Sequence, residues 1–293
     1  MQVSRLVMIV VILIHGAAFA DQYNIKLVRP EKVGDKYIFS GTATQFDEIK
    51  TSQGLNVLKQ TKSFFSGQLE TKVHVLPSND NGGRTKLRLV VSKCSVIDGS
   101  LEKELLKPGT EIISQLQEGE EVFTINNKPV PLAVENILAQ FFSFGNSNIT
   151  DDDVFGTKEA KKVGDKWPVR SDQMAKMLAE DGVIADLDKI NGNTTLEKII
   201  EVDGVKALHI TGNVEIGSPS STSLPSTLLV EKANVSVSFS GNYPIDTSLA
   251  PISDRLDMTM TFIGRRASPP DNSQVVVSLR REQSVEKRYR SYK

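Results

Sequence analysis

The residues that could do chemistry are few and scattered. Beyond the first twenty residues only two histidines remain, His74 and His209, each set between apolar neighbours in Val73-His74-Val75 and Leu208-His209-Ile210. Nucleophilic catalysis needs a nucleophile, a base and an orienting group in contact. The chain has no Gly-x-Ser-x-Gly elbow. Ser100-Leu101-Glu102-Lys103 and Ser284-Val285-Glu286-Lys287 have Ser-x-x-Lys spacing, but the companion motifs of that chemistry are missing. Ser100 reads better as the cap of a helical turn over Leu101 to Leu106. The single cysteine, Cys94, ends the strand-like run Leu87 to Cys94. No activating neighbour is visible, so it reads as a small buried apolar residue. Alone, it cannot form an internal disulfide.

Metal and phosphate chemistry find little more. Asp186, Asp188 and Glu197 stand at the first, third and twelfth positions of a polar stretch, the spacing by which calcium loops converge oxygen ligands on one ion. Ile190 occupies a ligand position, and Gly192 falls one residue late for the required turn. The stretch therefore reads as a polar loop running into a strand. Asp151-Asp152-Asp153 reads as a solvated acidic linker before a divalent-ion site. No Cys/His cluster has zinc spacing, and no Gly-x-x-x-x-Gly-Lys or strand–Gly-x-Gly–helix unit cradles a phosphate. The sequence thus assigns no catalytic, cofactor-binding or metal residue and implies no cofactor. Asn148-Ile149-Thr150, Asn193-Thr194-Thr195 and Asn234-Val235-Ser236 fit glycosylation acceptors, which are incidental in a bacterial chain.

Residues 1–20 have the layout of a secretory signal. Arg5 is the positive start, Leu6 to Ile14 an unbroken apolar run, and Ala18-Phe19-Ala20 a small-x-small cleavage site. The run is too short to cross a bilayer, and no later segment is apolar enough to do so. The expectation is an exported, periplasmic or extracellular protein beginning at Asp21. The whole chain carries a formal charge of -1; losing Arg5 and no acid brings the processed chain to -2. That balance argues against a general nucleic-acid binder. The C-terminus is locally basic, with Arg280, Arg281, Lys287, Arg288, Arg290 and Lys293 around Tyr289 and Tyr292. It reads as a frayed tail or a charged edge strand, with contact to an anionic surface as the alternative.

The elements that must position these residues are mostly strands. Lys36 to Thr44 alternates, and Phe65, Gly67, Leu69, Thr71, Val73 and Val75 share one face of Phe64 to Leu76. Asn79 to Gly83 is a strong turn signal before the return over Thr85 to Ser95. Glu120 to Ile125 is a short strand turned by Asn126 to Pro129. Leu196 to Val202 and Val205 to Val214 flank Asp203-Gly204, a favoured two-residue hairpin turn. Leu228 to Ser240 alternates with one slip, the mark of a bulge. Met258 to Ile263 and Gln274 to Leu279 are further strands. Helical spacing occurs over Leu132 to Phe142 and, behind a Ser171 cap, over Ser171 to Glu180.

One internal echo stands out. Lys32-Val33-Gly34-Asp35-Lys36-Tyr37 is repeated as Lys162-Val163-Gly164-Asp165-Lys166-Trp167. Each copy precedes a strand-like run, with Gly-Asp supplying the turn and the aromatic opening the strand. The echo suggests two β-rich halves, residues 21–150 and 151–293. An export signal, this doubled turn and long hairpins together resemble the exported bacterial β-repeat proteins with a Val-Gly-Asp-Lys-aromatic turn and, more distantly, the half-barrel architecture of lipoprotein carriers. The resemblance implies a curved antiparallel sheet with helices on one side and assigns no site residue. The expected fold is mainly β: one or two pseudo-repeated halves of antiparallel curved sheet with a few short covering helices. The expected function is non-enzymatic binding or carriage of an apolar, lipid-like ligand in the envelope. A structural module that docks an envelope protein through a sheet edge or the basic tail is the alternative, and an enzyme the third.

Overall fold

A computed structural model describes residues 21–29, 32–77, 86–99, 101–117, 120–142, 149–180, 182–222, 224–225, 227–268 and 273–291. Residues 1–20, the turn expected over Asn79 to Gly83, Ser100, Asn148, Tyr292 and Lys293 lie outside the described residues. Strands β1 (Lys36–Gln53), β2 (Asn56–Leu76), β3 (Lys86–Asp98), β4 (Leu101–Leu106), β5 (Glu111–Gln117), β6 (Glu120–Ile125) and β7 (Lys128–Pro129) come first. Helix α1 (Leu132–Phe141) and the single turn α2 (Asp151–Val154) follow. Next are β8 (Lys166–Pro168), α3 (Ser171–Glu180), β9 (Val183–Ile184), β10 (Ile190–Val202), β11 (Val205–Gly217) and β12 (Ser220–Ser221). The chain closes with β13 (Leu229–Pro244), β14 (Ser253–Ser268) and β15 (Ser273–Ser291).

Thirteen of these strands form one antiparallel sheet in the order β7-β6-β5-β3-β2-β1-β15-β14-β13-β11-β10-β8, with β4 branching from β3. Strands β9 and β12 make a separate ribbon. Among the described residues β7 and β8 do not pair, so the sheet is open. Most neighbours are also neighbours in sequence. Three pairs, β3–β5, β8–β10 and β11–β13, skip one strand, and β1 against β15, over Tyr37↔Ser291 to Ser52↔Val276, joins the first strand to the last.

Local chemistry explains the hairpins. Asp203 and Gly204 both take positive φ (50° and 79°), as do Asn126 and Asn127 (50° and 60°), the conformation that a tight two-residue turn demands. The slip in β13 is a register shift at Val230/Lys232. The face of β2 expected to be inward is inward: Gly67, Leu69, Thr71, Val73 and Val75 are buried. The two copies of the repeated turn share one hydrogen-bond pattern. Gly34 N–H donates to the Val75 carbonyl (2.9 Å), and Val75 N–H to the Asp35 carbonyl (3.0 Å). Gly164 and Asp165 make the same pair of bonds with Leu196, at 2.7 and 3.1 Å. In each copy the aspartate side chain accepts from the first lysine's N–H, at 2.7 and 2.8 Å. Gly34 and Gly164 have φ of 95° and 90°, a region that favours glycine.

All three helices lie on one side of the sheet, over two separate cores. In the first, Val134, Ile137, Leu138 and Phe141 of α1 pack on Phe39, Leu69, Val73 and Leu89. Gly41 makes this possible: a Cβ there would meet the Phe141 ring at 2.6 Å. In the second, Ile25 and Leu27 from the N-terminal segment, Val154 and Phe155 beside α2, and Met174 and Leu178 of α3 cover Leu208, Ile210, Val214 and Val235.

The structure corrects four expectations. Leu101 to Leu106 is strand β4, not a helical turn, because the Cys94–Asp98 end of β3 offers it a free edge. Ser171 opens α3 but does not cap it; its hydroxyl donates to the Ile190 carbonyl (3.2 Å). Asp151-Asp152-Asp153 is not a solvated linker. The Asp152 carboxylate accepts the N–H groups of Leu27 (2.6 Å) and Val28 (3.3 Å) and pairs with Lys26 (2.8 Å), while Asp153 completes a capping box with Thr150. The basic C-terminus is neither tail nor edge. It is β15, hydrogen-bonded to β1 on one side and β14 on the other, and three of its cations are matched: Arg280 to Glu282, Arg281 to Asp47, Arg288 to Glu286.

Candidate functional site

The motif residues do not assemble. His209 lies on the face of the sheet away from the helices, where its Nδ1 meets Asn242 Oδ1 at 2.8 Å. Asn242 in turn donates to Ser253 Oγ (2.8 Å). The histidine therefore reaches serine only through an amide, which relays no proton, and no triad forms. His74 pairs across β2 with Lys36 and Arg88. Ser284 and Lys287, three apart on β15, point to opposite faces. Cys94 is fully buried, and burial pushes its thiol up to about 11, which makes it inert. Asp186 and Asp188 precede β10, whereas Glu197 sits seven residues up that strand and accepts from Thr211 (2.7 Å). At roughly 3.3 Å per residue the three carboxylates cannot converge. Among the described residues no group of three His, Cys, Asp or Glu is placed to hold a metal ion.

The structure brings together a set that the sequence did not announce, in the strip between the two cores. Leu256 of β14 stands in register between Phe239 of one core and Val285 of the other. It belongs to neither and remains 41% exposed. Met258 and Met260 continue the same row and are only partly buried. Gln283, beside Met258, donates to Gln140 of α1 (2.8 Å). Apolar side chains of β14 thus floor a strip that α1 borders on one side and the α2–α3 layer on the other.

The strip has a polar end. Asp254, two residues before Leu256, lies between Gly241 and Lys287 in register. The Tyr243 ring covers Gly241, where a Cβ would meet it at 2.4 Å, just as Phe141 covers Gly41 beside Lys287. Asp151 of α2 acts electrostatically on this group, as do Asp152 and Arg29 on Tyr243. Burial raises the Asp254 carboxyl; Lys287 and a hydrogen bond from Tyr289 oppose it, and Asp151 adds to it. Burial likewise raises Asp151, against the pull of Lys287. The Tyr243 hydroxyl is held well above its ordinary range by burial first and the nearby carboxylates second. Such a group can bind a polar headgroup through charge and hydrogen bonds; His209 and Cys94, the candidate base and nucleophile, lie elsewhere.

The opposite face of the sheet holds two shallow concavities, of about 450 Å³ near Asn242, Ser253 and Arg288 and about 260 Å³ near Phe46, Phe64 and Thr259. Among the described residues no helix is long and apolar enough to cross a membrane. The fold and strip define an open, mainly antiparallel β protein with helices over one face. No protein-family model and no curated protein matches the chain. Among solved structures it is similar to a TodX monoaromatic hydrocarbon channel deltaS2 mutant, at 8% identity and a TM-score of 0.22, over 90% of this chain and 91% of that one. A TM-score of that size carries no argument.

Proposed function

We propose that the chain is an exported, non-enzymatic binding or carrier protein of the bacterial envelope, and that it holds an apolar, lipid-like ligand along the helix side of β14. One observation carries the reading: Leu256 lies between the two cores in register and is left uncovered by both. Exposed apolar surface with a few convergent polar groups at one end fits a ligand or partner site. The Asp254–Lys287 end would take the headgroup, and Leu256, Met258 and Met260 the hydrocarbon. Membership of the exported β-repeat proteins is part of the same proposal, supported by the identical bonding of the two Val-Gly-Asp-Lys turns.

The test is to express the full chain with its leader, purify the processed protein and extract it for lipid mass spectrometry. The expected result is a co-purifying lipid that Leu256→Asp abolishes with folding intact. Absence of any bound lipid, together with no uptake of a neutral apolar fluorophore, would overturn the reading.

A further inference from the structure

The last rows of the β1–β2 hairpin extend past both cores. Every residue from Asn56 to Phe64 is exposed, so nothing covers either face. At the tip, Gly54 takes φ of 56°, and Leu55 is fully exposed. A two-residue turn of this kind needs glycine first and asks nothing apolar of its second residue. Behind it the register shifts between Thr51 and Ser52, with Val57 opposite Ser52 and Leu58 the extra residue of the bulge. Both are half-exposed. Three aliphatic side chains therefore crowd a projecting tip where they add nothing to a core.

The charge around this tip is one-sided. Among the described residues the acids near this end of the sheet are already matched: Asp47 to Arg281, Glu48 to Lys62 and Glu231 to Arg265. Among the described residues Lys50, Lys59 and Arg266 then have no acidic partner, in a chain whose overall charge is negative. Lysines on an edge strand guard against aggregation, which accounts for Lys59. It does not account for Lys50, whose strand is paired on both sides, with Gln60 and Ser278.

We infer that this tip docks on a bilayer surface bearing anionic headgroups. Leu55, Val57 and Leu58 enter the boundary between headgroups and acyl chains, and Lys50, Lys59 and Arg266 lie against the phosphates. An apolar convex tip ringed by cations matches that interface in both shape and charge. The inference does not rest on the ligand proposed for β14.

Flotation of the processed full chain tests it, with phosphatidylethanolamine–phosphatidylglycerol vesicles against pure phosphatidylcholine vesicles. Binding is expected to the anionic vesicles only and to weaken with salt. Replacing Lys50 and Lys59 together by glutamine should lower partitioning by about 30-fold. The triple variant L55S/V57S/L58S should lose binding while keeping its cooperative unfolding transition, since Leu55 is fully exposed and Val57 and Leu58 are half-exposed and belong to neither core. Failure of the wild type to float with anionic vesicles would overturn the inference. So would a triple variant that floats unchanged, or one that alters only self-association on a sizing column.

Discussion

Asp152 offers the sharpest test of how the α2–α3 layer is held on the sheet. Its carboxylate accepts the Leu27 N–H at 2.6 Å and the Val28 N–H at 3.3 Å, and Lys26 approaches at 2.8 Å. Leu27 is buried in the second core. Asp152→Ala leaves its N–H without an acceptor. A hydrogen bond to a charged group contributes about 1.5–3 kcal/mol. The longer Val28 bond contributes less, and the half-exposed Lys26 adds at most about 1 kcal/mol. The sum is about 3 kcal/mol. The other course is for the segment to detach, which gives up the burial of Ile25 and Leu27, about 1.5–3 kcal/mol each, against regained chain entropy. Urea unfolding measures the loss, and limited proteolysis near residues 21–29 separates the two courses. Asp152→Asn keeps one acceptor for Leu27 and should lose roughly half as much. A loss below about 0.5 kcal/mol in both variants would refute the account of α2 as a staple.

Two further outcomes follow from the seam between the cores. Because burial raises the Asp254 carboxyl, the native chain holds that proton more tightly than the unfolded chain; the group's contribution is largest at acid pH and declines as pH rises through the folded value. Asp254→Asn removes this dependence, so its melting temperature should gain on the wild type above the ordinary carboxylate range; a difference that stays constant from about pH 4 to 8 would contradict the assignment. Truncation before Ser273 removes the strand that bridges β1 and β14, so the product should show no cooperative unfolding transition, and a folded truncation product by circular dichroism would exclude a central β15.

Much of the fold was legible in local pattern. Two-residue alternation marked β2, β11 and β13. Asp203-Gly204 and Asn126-Asn127 marked their turns, and helical spacing marked α1 and α3. The failures share one cause. Leu101 to Leu106 has no local pattern strong enough to choose its own structure, and the free edge of β3 chose it. The basic run at the C-terminus read as a tail or an edge because β1, the strand that covers one side of it, is remote in sequence: Arg281 meets Asp47, 234 residues away. The candidate site was illegible for the same reason. Asp151, Asp254, Lys287 and Tyr243 form no motif, and only strand register and the placement of α2 bring them together.

The sequence by itself determined which side chains share a face, where the chain reverses, and that the repeated Val-Gly-Asp-Lys turn would be built alike twice, because these depend on φ preferences and on the two-residue period of a strand. Tertiary structure alone decided that β15 sits between β1 and β14, that two cores form where one could have, and that Leu256 is left between them. Those outcomes depend on pairing and packing between distant segments, which no local window of residues encodes.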